Sequence, residues 1–191
     1  DTTQTLGWRC DNVVQHWDQR FAWQGPTQAE VADMIIEQLI DMIISRGKLM
    51  PGALDALKLC QSLRLPMALA TSSNHRMMLA TLQHFELLPF FQASCSAEFL
   101  PLAKPHPQVY LNAAAALNVS PQHCLALEDS VTGLIAAKAA QMRCIAVPDS
   151  AHRHRRSRAA PVRAAGRADY GISAETEPVS AGLPRNGTAA G

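Results

Sequence analysis

The 191-residue sequence contains no Cys-x-x-Cys pair. Its five cysteines, Cys10, Cys60, Cys95, Cys124 and Cys144, are scattered and odd in number. That argues against a disulfide framework and a structural zinc site, and reads as idle thiols in a reducing cytoplasm. Charge is also sparse. Charged residues make up 17% of the chain, where a soluble domain usually has about a quarter. The formal net charge is +1, so the chain as a whole has no field that would draw it to nucleic acid or a membrane surface. No apolar run approaches the ~18 residues of a membrane span. The first residues show no basic region followed by an apolar stretch, so no signal peptide is read. The expectation is a cytoplasmic protein, monomeric, with no nucleic-acid or membrane partner.

What is present is an apolar fraction of 48%, enough for a sizeable core. The length fits one domain, or a domain with a small cap. The first segment reads as helices. Val13, Val14 and Trp17 share one helical face, and Thr27 and Glu30 have the spacing of a capping box. Val31, Met34, Ile35, Leu39, Met42 and Ile43 then recur at helical spacing. Ile36, Ile40 and Ile44 widen that stripe, which predicts a helix covered on more than one side and ended by Arg46-Gly47.

From Pro51 onward helix and strand alternate. Short apolar runs at 67–70, 124–127 and 144–147, with a further short strand at Ala93-Ser94, are separated by helical stretches. This predicts an α/β fold with a parallel sheet whose strands are buried on both faces. The expected organisation is a partial helical cap over 1–49, a core over 50–150 and an Arg/Ala-rich tail over 151–191. The tail begins with the basic stretch His152 to Arg158, lacks lysine, and reads as disordered or poorly packed. Glu175 and Glu177 and the lack of interleaved aromatics argue against a nucleic-acid arm there.

Ligands of open parallel sheets bind beyond the carboxyl ends of the strands. Three places there carry polar residues. Thr71, Ser72 and Ser73 follow the first run and lead into a helix. Hydroxyls and free N–H groups at a helix start suit a phosphate, or they simply cap the helix. Lys104 lies in Ala103-Lys104-Pro105-His106-Pro107. Pro105 keeps it out of helical conformation and Pro107 suits the first turn of the next helix. The ammonium there either neutralises phosphoryl oxygens or is a solvated loop charge. Glu128-Asp129 follows the 124–127 run and offers hard oxygen ligands for Mg²⁺, or an acidic helix cap.

In order and context, these three segments resemble the haloacid dehalogenase superfamily. Leu69-Ala-Thr-Ser-Ser-Asn74 resembles its second motif, Ala103-Lys-Pro-His-Pro-Gln-Val-Tyr110 its third and Leu127-Glu-Asp-Ser-Val-Thr-Gly133 its fourth. Pro89-Phe90-Phe91 and the run from Ser130 to Ala140 are similar to the β-phosphoglucomutase-like branch. The likeness extends from about Leu6 to Val147. It implies a Rossmann-like core under a helical cap, and a Mg²⁺-dependent phosphatase of small sugar phosphates, of the hexitol phosphate or 2-deoxyglucose 6-phosphate type. By the same resemblance, Thr71 and Lys104 act on the phosphoryl group, with Thr71, Ser72 and the cap residue Arg9 on the substrate. Asp129, with Glu128 near it, holds Mg²⁺.

The superfamily's nucleophile is the first Asp of an Asp-x-Asp motif closing a central strand, and the 191 residues contain no Asp-x-Asp. The chain therefore reads as starting inside the cap. The missing strand would lie between those ending at Thr71 and Asp129 and would leave them roughly 10 Å apart. On this reading the chain is catalytically inactive and marginally stable. The Arg/Ala-rich tail points to a frameshift or a degenerate gene. A mutase of the same branch, a dehalogenase, a non-catalytic phosphate-binding protein and a product without function are the alternatives.

Overall fold

The computed structural model describes residue 5 and residues 8–147, so the segment 151–191 lies outside the described residues. Helix α1 spans Cys10–Phe21 and buries Val14. Helix α2 spans Gln28–Arg46 and starts at the predicted capping box. The Glu30 carboxylate accepts from Thr27 N at 2.7 Å, and Thr27 Oγ1 accepts from Glu30 N at 3.3 Å. The pair satisfies two N–H groups that a helix start otherwise leaves free. Gly47 closes the helix, its N–H donating to the Ile43 carbonyl.

Helix α2 is covered on more than one side, as expected, but not over the whole of its apolar stripe. Only Ile36 is buried, while Met34, Leu39, Met42 and Ile44 stay exposed. The helix packs against α1 on one side and α4 on another, and no further described element covers the remaining face. Arg76 of α4 reaches Glu37 at 2.6 Å and Asp33 at 3.2 Å on α2. These exposed pairs set orientation more than they stabilise.

The remaining elements alternate as predicted: α3 Ala53–Ser62, β1 Ala68–Thr71, α4 His75–His84, β2 Ala93–Ser96, α5 Gln108–Ala116, β3 Leu125–Glu128, α6 Val131–Ala139 and β4 Arg143–Ala146. Every strand pairing is parallel. β1 runs beside β2 with Ala68 opposite Ala93, and β3 beside β4 with Leu125 opposite Arg143. The fold is the Rossmann-like α/β arrangement expected from the sequence.

The pairs form two separate two-stranded sheets, β1-β2 and β3-β4. No backbone hydrogen bond joins β1 to β3 among the described residues. The prediction of strands buried on both faces is therefore corrected. Along β3, Ala126 and Glu128 are buried, but Leu125 and Leu127 are exposed, as is Ile145 on β4. Strand side chains alternate between faces, and on this face no described element packs over the sheet.

Two clusters make the core. The larger joins α5, β3 and α6 through Val109, Tyr110, Ala114, Ala126, Ala136, Ala137 and Met142. Its many alanines let helix and strand backbones approach closely. The smaller gathers Met78, Leu82 and Leu87, with Leu54, Leu57 and Leu69 packed against them. It anchors α3 and α4 beside β1. Between them the clusters hold the carboxyl ends of β1 and β3 toward one region.

Candidate active site

Lys104 sits in the loop before α5, and its Nζ reaches both sheets. It donates to the Ala70 carbonyl on β1 at 3.1 Å, to Tyr110 Oη on α5 at 3.3 Å, and to Glu128 Oε1 on β3. A lysine ammonium carries three protons, so these partners use all of them. The ammonium also lies 4.7 Å from the centroid of the Tyr110 ring. Its side chain is 7% exposed and that of Glu128 6%, so the ion pair is buried.

Both oxygens of Glu128 are committed. Oε1 takes Lys104 and the Tyr110 hydroxyl; Oε2 accepts from the backbone and hydroxyl of Ser130, at 3.2 and 3.0 Å. Burial pushes the Glu128 carboxyl up, but hydrogen bonds from Lys104 and Tyr110 and the ammonium's charge outweigh it, leaving it below its ordinary value. Burial and the adjacent carboxylate push the Tyr110 phenol far above its usual range. Tyr110 is therefore a donor at neutral pH.

Ser130 caps α6, its hydroxyl accepting from Gly133 N at 3.0 Å. A Cβ on Gly133 would lie 2.0 Å from the Glu128 carboxyl carbon. This glycine is required so that the buried carboxylate can lie against the first turn of α6. Tyr110 and Gly133 are functional neighbours without an assigned role in the sequence reading. Their signal was present: both fall inside the third and fourth motif segments, and a glycine inside a helix costs stability unless something needs its space.

The structure divides the predicted metal pair. Glu128 points inward and is saturated, whereas Asp129, the next residue, is exposed and makes no hydrogen bond or ion pair among the described residues. Successive side chains at a strand end face opposite ways, so the two carboxylates do not converge on one ion. Among the described residues, no group of three His, Cys, Asp or Glu side chains could hold a metal. Asp129 leaves one carboxylate free, and Mg²⁺ usually takes one or two protein carboxylates and keeps several waters.

At the end of β1, Thr71 Oγ1 accepts from Ser73 N at 3.0 Å, which leaves its own proton free to donate. Ser72 Oγ is buried without a partner. A buried hydroxyl left unpaired costs about 1–3 kcal/mol, and a bound anion would relieve that cost.

Arg9 bonds to none of these side chains. Its Nε and Nη2 bond both Asp11 oxygens at 2.7 Å, and Nη1 donates to the carbonyls of Ala97 at 3.1 Å and Leu100 at 2.7 Å. The guanidinium ties the start of α1 to the loop after β2.

The family model for haloacid dehalogenase-like hydrolases matches residues 5–141, and the chain belongs to that family. Hexitol phosphatase B of Escherichia coli (strain K12) is 47% identical over 144 residues, which cover 75% of this chain and 65% of that protein. The chain thus spans slightly under two thirds of the curated relatives it first matches. A phosphorylated carbohydrates phosphatase of Thermotoga maritima is 37% identical over 90 residues, 47% of this chain and 42% of that one. Among solved structures, CbbY from Rhodobacter sphaeroides in complex with phosphate has a TM-score of 0.68 at 26% identity, over 77% of this chain and 68% of its own. A β-phosphoglucomutase from Clostridium difficile shares the fold, at a TM-score of 0.64.

Proposed function

We propose that the chain carries the phosphate-handling half of a Mg²⁺-dependent phosphoric monoester hydrolase acting on small sugar or sugar-alcohol phosphates. The supporting relatives are a hexitol phosphatase and a carbohydrate phosphatase. The observation that carries the reading is Lys104, whose ammonium holds the carboxyl ends of β1 and β3 together beside Thr71, Ser72 and Asp129.

In this reading the Thr71 and Ser72 hydroxyls donate to phosphoryl oxygens. Lys104 acts through its position, fixing the two strand ends and offsetting the Glu128 charge. The formal charges of Lys104, Glu128 and Asp129 then sum to one negative, which repels a phosphate dianion. The donor set therefore calls for an added cation, and Asp129 is the residue that would hold it. Bound there, Mg²⁺ would supply the positive charge that phosphoryl transfer requires. Glu128 supports the lysine and the cap of α6.

The nucleophilic carboxylate has no counterpart in the 191 residues, which lack Asp-x-Asp. The chain by itself is therefore a binder of phosphate without turnover. Calorimetry with inorganic phosphate tests both halves. Binding should require Mg²⁺ and be lost in Asp129→Ala. Equal binding in that variant overturns the site, and sugar-phosphate hydrolysis above the Asp129→Ala background overturns the lack of turnover.

A further inference from the structure

At the end of β1 away from Thr71, an open cleft of about 260 Å³ lies between the chain that leads from α3 into β1 and the turn that precedes β2. Met67 lines this cleft, and Thr71 comes four residues later, about 13 Å along the strand at roughly 3.3 Å per residue. The cleft is therefore separate from the phosphate-handling groups. We propose that it is a binding site for a small organic acid, a carboxylate carried on a compact apolar body such as a phenyl ring. The inference stands independently of the phosphatase reading.

The polar lining sets the charge of the ligand. Arg64 lines the cleft, and its guanidinium makes no ion pair or hydrogen bond to a described side chain. Its planar fork matches a carboxylate in two parallel bonds. Gln92 spends its Oε1 on Met67 N at 2.6 Å, which leaves its amide protons to donate. Gln61 adds a second carboxamide without a partner among the described residues. No Asp or Glu lines the cleft, so a cation would find no counter-charge there. The rest of the lining is apolar: Leu65, Pro66, Pro89 and Phe90. A bare inorganic anion would leave that surface facing water, whereas an apolar body removes it. The volume lies just under the usual range of ligand clefts, about 300–1,000 Å³, which suits a single ring better than a nucleotide. The two sides are also fixed to each other before any ligand arrives. Gln92 N donates to the Met67 carbonyl at 2.9 Å, and Leu65 N to the Cys60 carbonyl at 2.9 Å. Walls held in this way leave little ordering cost to binding.

The test is an NMR titration of the full chain with 3-phenylpropionate, run beside 3-phenylpropanol, acetate and inorganic phosphate. The acid should shift the Arg64 Nε–H and the side-chain amides of Gln61 and Gln92, and saturate in the millimolar range. The alcohol lacks the charge and acetate lacks the ring, so each should bind at least about tenfold more weakly. Arg64→Gln, at an exposed position, should weaken the acid by about tenfold or more and leave the melting temperature as in the parent. The proposal is overturned by the absence of a saturating shift at these three groups, by equal affinity for the alcohol, or by unchanged affinity in Arg64→Gln. Equal affinity for acetate or phosphate at the same signals would make the cleft a general anion contact and overturns it too.

Discussion

From the loop before α5, the Lys104 ammonium forms a buried ion pair with the Glu128 carboxylate, at the junction of two sheets that share no backbone hydrogen bond among the described residues. The lysine also caps the Ala70 carbonyl, a strand-edge acceptor that an adjoining strand would otherwise satisfy. One side chain thus does for the two strand ends part of what a ladder does along a continuous sheet.

Breaking that pair should be costly. Lys104→Met or Glu128→Gln alone leaves a buried partner uncompensated, and each should lower stability by about 3–5 kcal/mol. The double variant should lose less than the sum, because neither charge is then stranded. Urea denaturation of the four proteins measures the coupling. Simple additivity would show that the two groups do not interact.

Acid should act through the same carboxylate. Glu128 titrates below its ordinary value of 4.5 in the folded chain. A carboxyl with a depressed folded pKa contributes stability in full above its unfolded pKa and loses it as pH falls through the folded one. As pH falls from about 5 through the lowered value, the parent should lose more stability than Glu128→Gln. Parallel urea midpoints for the two proteins across that interval would contradict this.

Gly133→Ala should destabilise although alanine is the better helix former. The added Cβ meets the Glu128 carboxyl carbon at 2.0 Å, and the carboxylate is held by Lys104, Tyr110 and Ser130. Overpacking of this kind costs about 1–3 kcal/mol. Thermal melts of Gly133→Ala should fall below the parent, and the same substitution should cost less in a Glu128→Ala background, where the clash is gone.

Asp129→Asn should leave stability within about 0.5 kcal/mol of the parent, as expected of an exposed side chain without partners. Its effect should be confined to ligand binding, read as loss of the Mg²⁺-dependent binding of phosphate. The adjacent substitution, Glu128→Gln, should show the opposite pattern: a lower melting temperature whatever ligand is present. Differential scanning fluorimetry with and without Mg²⁺ and phosphate separates the two.

Arg9→Gln removes donors to the Ala97 and Leu100 carbonyls. Hydrogen bonds to a charged group contribute about 1.5–3 kcal/mol, so the start of α1 should come loose from the core loop. Faster amide exchange over α1, with the β3-β4 region unchanged, is the expected pattern. Uniform acceleration along the chain would mean that Arg9 supports global stability instead.

The order of elements, the parallel strand arrangement and the helix start at Thr27 could be read directly from the sequence. Each depends on neighbours a few residues apart: apolar runs, capping side chains and prolines at fixed offsets. The third motif segment also placed Lys104 on the approach to a helix, and the fourth placed Glu128 and Asp129 at a strand end. Their division of labour depends on contacts 24 residues apart, between Lys104 and Glu128, and on which way each carboxylate faces. Only the tertiary structure decided that Glu128 turns inward and Asp129 outward, that Arg9 spends its guanidinium on two carbonyls, and that the sheet divides into two pairs with Leu125 and Leu127 exposed. Local pattern specifies what a segment becomes, whereas burial and pairing depend on which other segments are there to cover it.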